Sequence, residues 1–240
     1  MTSAEKLMKI AENELKVFQE GKKSQYDEFW DNFQENGNRT VYVSCFGSGW
    51  TADTLKPKYT IKPINANMMF FNNAGEVFIL ENARNFPLDF SECTNANYGI
   101  ARLHSKVFGT LDFRKCIYMQ NLFYSHNSAT GVKTIDKFIV SEKTVFDKST
   151  FQNATYLTDI TIQGVAENGG TITDVITSNI DFSTCTLLSK ASIGSVVLAL
   201  KQGLSGKTAT FSNTAVTNAF TEEEWQNLRA TRPSWTISRA

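Results

Sequence analysis

Charge of one sign is the first thing the chain lacks. Lys plus Arg and Asp plus Glu both number 24, so no global field draws nucleic acid or an anionic membrane. The densest basic spot, Lys22-Lys23, is only two residues long. Long apolar runs are missing as well. Nothing approaches the roughly 18 consecutive residues needed to cross a bilayer, so no membrane insertion is expected. Met1 to Glu20 carries charges throughout and has no apolar segment of the signal-peptide kind. Synthesis and folding in the cytoplasm are therefore expected, with release by another route such as lysis if the protein acts outside. The four cysteines, Cys45, Cys93, Cys116 and Cys185, form no CxxC pair, and neither His104 nor His126 stands at ligand spacing from one of them. No metal and no cofactor are expected. The Gly47-Ser48-Gly49 turn before Trp50 lacks the third glycine and following helix of a phosphate-binding loop. No GxSxG, HExxH or Walker A pattern occurs, so the chain is not expected to be an enzyme.

What the chain does have is enough apolar content, 41%, to build a core, and 18 phenylalanines against 7 tyrosines. That ratio points to buried aromatic packing rather than a tyrosine-rich binding face. It also has a repeat. Leu88-Asp89-Phe90-Ser91-Glu92-Cys93, Leu111-Asp112-Phe113-Arg114-Lys115-Cys116 and Ile180-Asp181-Phe182-Ser183-Thr184-Cys185 share one pattern. Degenerate copies begin at Ile135-Asp136 and Ile160-Thr161. The starts at 88, 111, 135, 160 and 180 give steps of 20 to 25 residues, the leucine-rich-repeat period. In each triplet, alternation sends the aliphatic residue and the Phe to one face and the Asp to the other. A single strand of this kind cannot bury its apolar face alone, so stacked copies are expected to share a core. The Cys after each strand fits a small buried position, and three at one phase predict buried free thiols.

The expected fold is accordingly α/β: a short leucine-rich-repeat β-solenoid of about five units over residues 76–186. A helical segment over 1–37 precedes it, with a linker of short strands over 38–75, and an α-β-α-β cap over 187–240 follows it. Thr2-Ser3-Ala4-Glu5 has capping-box spacing at the start of the first helix. Leu7, Ala11, Leu15 and Phe18 form a narrow apolar stripe, suited either to covering one end of the repeats or to assembling a homo-oligomer, with a trimer favoured. In the cap, a helix from Ser189 stops near Gly203, Thr208 to Phe211 is strand-like, Thr221-Glu222-Glu223-Glu224 opens a second helix, and Trp235 to Ser238 is a last strand. Trp225 and Trp235 are expected in the core.

Asp89, Asp112, Asp136 and Asp181 are the expected binding positions, as the outward column of adjacent strands. Carboxylates about 4.8 Å apart repel unless they are solvated, bonded to turn N–H groups or bridged by a cation. His104 and His126, 22 residues apart, could stack on neighbouring turns. Packed histidines are the default there; a proton-shuttling pair needs partners in reach.

The repeat pattern, with Phe151-Gln152-Asn153-Ala154-Thr155-Tyr156-Leu157-Thr158-Asp159-Ile160 as its best match, resembles the leucine-rich repeats of BspA-type surface proteins over residues 65 to 186. The irregular steps and the Glu167-Asn168-Gly169-Gly170 break depart from that family. The whole layout, from Ala4-Glu5-Lys6-Leu7 and Tyr26-Asp27-Glu28-Phe29-Trp30 to Phe220-Thr221-Glu222-Glu223-Glu224-Trp225, resembles small leucine-rich-repeat proteins encoded in phages and prophages of gut Firmicutes. The resemblance implies a non-enzymatic virion component of a tail or baseplate, with other virion proteins or a host-surface protein or glycan as partners. A bacterial surface adhesion module is the alternative, and a glycan-active enzyme is a third reading that would need two carboxylates in one cleft.

Overall fold

A computed structural model describes residues 60–70, 77–80, 82–166 and 169–240. The apolar stripe Leu7, Ala11, Leu15 and Phe18, the expected first helix and Cys45 lie outside the described residues.

The described strands are β1 (Phe78–Leu80), β2 (Leu103–Ser105), β3 (Val107–Asp112), β4 (Thr134–Val140), β5 (Asp159–Val165), β6 (Thr171–Ile172), β7 (Ile180–Phe182), β8 (Lys207–Phe211) and β9 (Trp235–Arg239). The helices are α1 (Lys190–Ala199), α2 (Asn213–Ala219) and α3 (Glu222–Ala230). Strands β1 and β2 pair in parallel as one small sheet; β3, β4, β5 and β6 form a second; β7, β8 and β9 form a third. Within the second sheet β3–β4 and β4–β5 are parallel while β5–β6 is antiparallel.

This overturns the expected leucine-rich-repeat solenoid of about five units. The chain builds three sheets of few strands, and the triplets do not occupy one register through them. Leu88-Asp89-Phe90 lies outside the strands, with only an isolated bridge from Leu88 to Ile61. Leu111 and Asp112 end β3, whereas Ile180-Asp181-Phe182 is β7 and pairs with β8 in the third sheet.

The reason lies at β5. After Val165 the chain turns through Gly169, whose φ of 86° is left-handed, and returns antiparallel as β6. Along the rest of β5, the Ser192 hydroxyl accepts from the Ile160 N–H and the Ser195 hydroxyl from the Ile162 N–H, each at 2.9 Å. Helix α1 thus occupies the hydrogen-bonding edge that a further parallel strand would need.

The expected α-β-α-β cap is also corrected, to helix, strand, helix, helix, strand. Helix α1 starts where Ser189 accepts from the Ser192 N–H, and buries Ile193, Val196 and Val197. Helix α3 carries a full capping box: Thr221 accepts from the Glu224 N–H and the Glu224 carboxylate from the Thr221 N–H. Between them sits α2, NTAVTNA, in which only Ala215 and Val216 are buried. Two buried positions in seven leave too faint a periodicity to read against the surrounding Asn and Thr.

One aromatic file connects the second and third sheets. Ring centroids run from Phe90 to Phe113 at 4.8 Å, to Phe138 at 5.2 Å, to Phe151 at 5.5 Å and to Phe182 at 4.2 Å. The file continues to Phe211 at 6.0 Å and Trp225 at 6.0 Å. All are buried, and Trp235 is buried with them, its indole N–H donating to the Lys201 carbonyl. At about 1.5–3 kcal/mol for each fully buried ring, this file is a large apolar contribution to the fold.

Candidate functional site

The four aspartates do not form a column. In the β3–β4 register Asp112 stands opposite Ile139, and Asp136 falls between the Ile135 and Lys137 positions that pair with Phe108 and Thr110. Asp181 stands opposite Thr210 in another sheet. Three of the four share one local task instead. The carboxylate two residues before a turn N–H accepts from it: Asp89 from Ser91 at 2.9 Å, Asp112 from Arg114 at 3.1 Å and Asp181 from Ser183 at 2.8 Å. Asp followed two residues later by a turn amide is an Asx-turn, which is why the repeat carries Asp there. Three of the four charges are also matched by cations. Arg114 grips Asp112 through Nε and Nη2, Arg84 grips Asp136 at 2.6 and 3.0 Å, and Lys62 lies 3.2 Å from Asp89. Burial pushes the Asp89 carboxyl up, but the Ser91 bonds and Lys62 outweigh it and the net shift is downward. Arg84 holds Asp136 below the usual carboxylate range, first by its hydrogen bonds and then by its charge. Among the described residues no group of three or more His, Cys, Asp and Glu is placed to hold a metal ion.

The two histidines are brought together, with ring centroids 4.5 Å apart, and both are buried. His126 is fixed in one tautomer: Nε2–H donates to the Ile100 carbonyl at 3.0 Å, and Nδ1 accepts from the Val132 N–H at 3.2 Å. Burial, and secondarily His104, push its pKa down to about 3. His104 is pushed down by burial and then by the charge of Arg102, and its Nδ1 lies 2.9 Å from the Thr130 hydroxyl. This is a neutral, packed pair held by a carbonyl, an amide and a hydroxyl.

Cys93, Cys116 and Cys185 are free, buried thiols. Cys93 and Cys116 donate to the Asn95 and Tyr118 carbonyls, each at 3.2 Å. Contact with Cys116, then burial, raises the Cys93 thiol, and burial pushes Cys185 up to about 12. Cys93 and Cys185, so held protonated, are poor nucleophiles.

An open groove of about 440 Å³ is lined by Ser141, Glu142, Lys143, Val165, Ala166 and Ile172. Among its described lining residues the carboxylate is Glu142, which is paired with Lys201 at 2.6 Å. The two-carboxylate cleft required for glycoside hydrolysis is not formed by these residues.

A different surface gathers the recognition chemistry. Three chain segments, 65–68, 95–98 and 118–121, lie side by side. The Ala66 N–H donates to the Asn95 carbonyl and the Ala96 N–H to the Tyr118 carbonyl, each at 2.7 Å. The Met68 N–H donates to Asn97 at 2.8 Å and the Tyr98 N–H to Gln120 at 3.0 Å. Met68, Tyr98 and Asn121 take the same left-handed φ, 54°, 53° and 50°, so the three segments turn alike.

Across them run amides and tyrosines. Asn95 is bridged on one side to Asn65 and on the other to Tyr118. The Asn65 and Asn95 side-chain oxygens accept from the Asn67 and Asn97 N–H groups at 3.0 and 3.1 Å. Asn97 Oδ1 accepts from the Gln120 N–H at 2.8 Å, and Asn121 Nδ2 donates to the Tyr98 hydroxyl at 3.1 Å. Tyr98 and Tyr124 pack edge to face at 5.4 Å, with the Arg102 guanidinium 6.0 Å from the Tyr124 ring. Tyr118 is the most exposed of the large apolar and aromatic side chains described, at 56%.

The tyrosine count concealed this face, because the sequence ratio describes the chain and not its distribution. A signal was present: Asn65-Ala66-Asn67 recurs as Asn95-Ala96-Asn97. Its step of 30 residues falls outside the 20–25 residue period of the Asp-Phe triplets. No family model, curated protein or solved structure matches the chain.

Proposed function

We propose that this is a non-enzymatic binding protein that meets its partner through the tyrosine–amide face. The observation that carries this reading is that face itself: Asn95, Asn97, Tyr98, Tyr118, Gln120 and Tyr124 on adjacent, hydrogen-bonded segments, with Tyr118 more than half exposed. Tyrosine supplies a rigid, amphipathic contact surface with few torsions to freeze, and asparagine supplies hydrogen bonds in both directions. The backbone beneath is fixed by the ladder and by turn bonds, so little ordering remains for binding to cost.

The resemblance in layout to small phage-encoded proteins supports reading it as a virion component of a tail or baseplate, and makes the bacterial envelope the surface to test. Purified protein is expected to adsorb saturably to envelopes of gut Firmicutes. Tyr118→Ala should weaken adsorption by about tenfold, the scale of a modest interface hot spot, with an unchanged melting temperature. Absence of saturable adsorption across a panel of such envelopes would overturn the proposal, as would equal adsorption by the variant.

A further inference from the structure

We infer that the ligand of the tyrosine–amide face is a neutral oligosaccharide; the inference rests on that face being the binding surface. Three features of the site select this chemistry. First, its polar groups are carboxamides and phenols, which both donate and accept, as the hydroxyls of a sugar do. The backbone bonds to Asn65, Asn95 and Asn97 each occupy a single lone pair of the amide oxygen. Second, its rings stand on successive segments. Tyr118 is exposed beside Asn95, while Tyr98 and Tyr124 are fixed edge to face, so that aromatic surface is offered at more than one place along the ladder. Neighbouring segments lie about 4.8 Å apart, a spacing comparable with the rise from ring to ring in an extended polysaccharide. The C–H face of a pyranose can stack on a phenol while its equatorial hydroxyls reach the flanking amides. Third, the described charges at its margin, Arg102, Asp147 and Lys148, are of mixed sign. Arg102 lies over the Tyr124 ring, and the Asp147 carboxylate is engaged by the Ser149 N–H and hydroxyl at 2.9 and 2.6 Å. Among the described residues a uronic acid, teichoic acid or phosphate polymer would find no cluster of one sign to bind. A protein partner could use the same tyrosines as anchors, so the experiment separates the two.

The experiment uses the full chain and bacterial envelopes treated in two ways. Digestion with proteinase K removes envelope proteins and leaves glycans; periodate cleaves the vicinal diols of glycans and leaves most protein. Adsorption should survive digestion and fall at least tenfold after periodate. Dextran, whose residues carry vicinal diols, should compete in solution, polygalacturonate should not, and Tyr118→Trp should retain what Tyr118→Ala loses. Loss of adsorption on digestion with survival after periodate would overturn the sugar inference while leaving a binding face intact. Competition by the polyanion alone would overturn its neutral character. No adsorption to untreated envelopes would overturn the binding reading and this inference with it.

Discussion

His126 shows how a single polar residue can set the acid limit of a fold. Its ring is buried, pinned in the neutral form by the Ile100 carbonyl and the Val132 amide, and faces His104 and, beyond it, the charge of Arg102. The folded pKa is depressed, from 6.5 to about 3, so the unfolded chain binds the proton more readily. The stability conferred by the neutral ring is therefore complete above pH 6.5 and is lost as the pH falls toward 3. At pH 4.5, two units below the free value, His126 alone should remove on the order of 2–3 kcal/mol. Chemical denaturation at pH 7.5 and pH 4.5 should show this loss, and His126→Gln, which cannot take up the proton, should remove most of it. An identical pH dependence in the variant would show that other groups set the acid limit. Asp89, Asp112 and Asp181 make the complementary point at the same scale. Their place in the repeat comes from turn formation, and a residue kept for its own backbone need not present its charge to a ligand.

At the level of elements, what could be read from sequence follows local physics closely. Ser189 and Thr221 were legible as helix starts because a cap bonds residues two or three positions away, and the Glu222–Ala230 helix bears both bonds of its capping box. Replacing Thr221 by Ala should cost about 1 kcal/mol, seen as a lower urea midpoint with an unchanged slope; a changed slope would mean that more than the cap was lost. Registers were not legible in the same way. Aligning Leu111 with Ile135 by pattern put Asp112 beside Asp136, whereas the strands pair Leu111 with Phe138, three residues on. The apolar run of β4 offers several positions that could take the inward role, and packing of Phe138 between Phe113 and Phe151 decides among them. The end of the parallel ladder was equally hidden, because it depends on Ser192 and Ser195 bonding a strand some thirty residues earlier in the chain. The tyrosine–amide face shares that character: its segments are turns, and turns carry no apolar period to announce them.

For the described part of the molecule as a whole, cohesion between its sheets rests on two structures of opposite chemistry. One is the aromatic file from Phe90 to Trp225, which is insensitive to pH and salt. The other is Arg232, a nearly buried guanidinium just beyond α3. Its Nε donates to the Leu200 carbonyl at 2.7 Å, its Nη1 to the Thr231 carbonyl at 2.9 Å, and its Nη2 to both the Leu198 carbonyl and the Asp174 carboxylate. One side chain thereby ties the end of α1, the end of α3 and the segment after β6. The Val175 and Ile176 N–H groups add bonds to the Ala199 carbonyl beside it. Because three elements converge on these few donors, the loss should propagate beyond the site. Arg232→Met keeps the length of the side chain but removes the donors to three carbonyls and a carboxylate, a change expected to cost about 3–5 kcal/mol. The aromatic file would still hold β7, β8 and α3 together in that variant. Hydrogen exchange should therefore rise most at Val175, Ile176 and Lys201, whose amides bond around the lost guanidinium, and least at the β8–β9 pairing. Uniform acceleration at all amides, equal to the global loss of stability, would instead show that the described sheets unfold as one cooperative unit and that Arg232 has no local role.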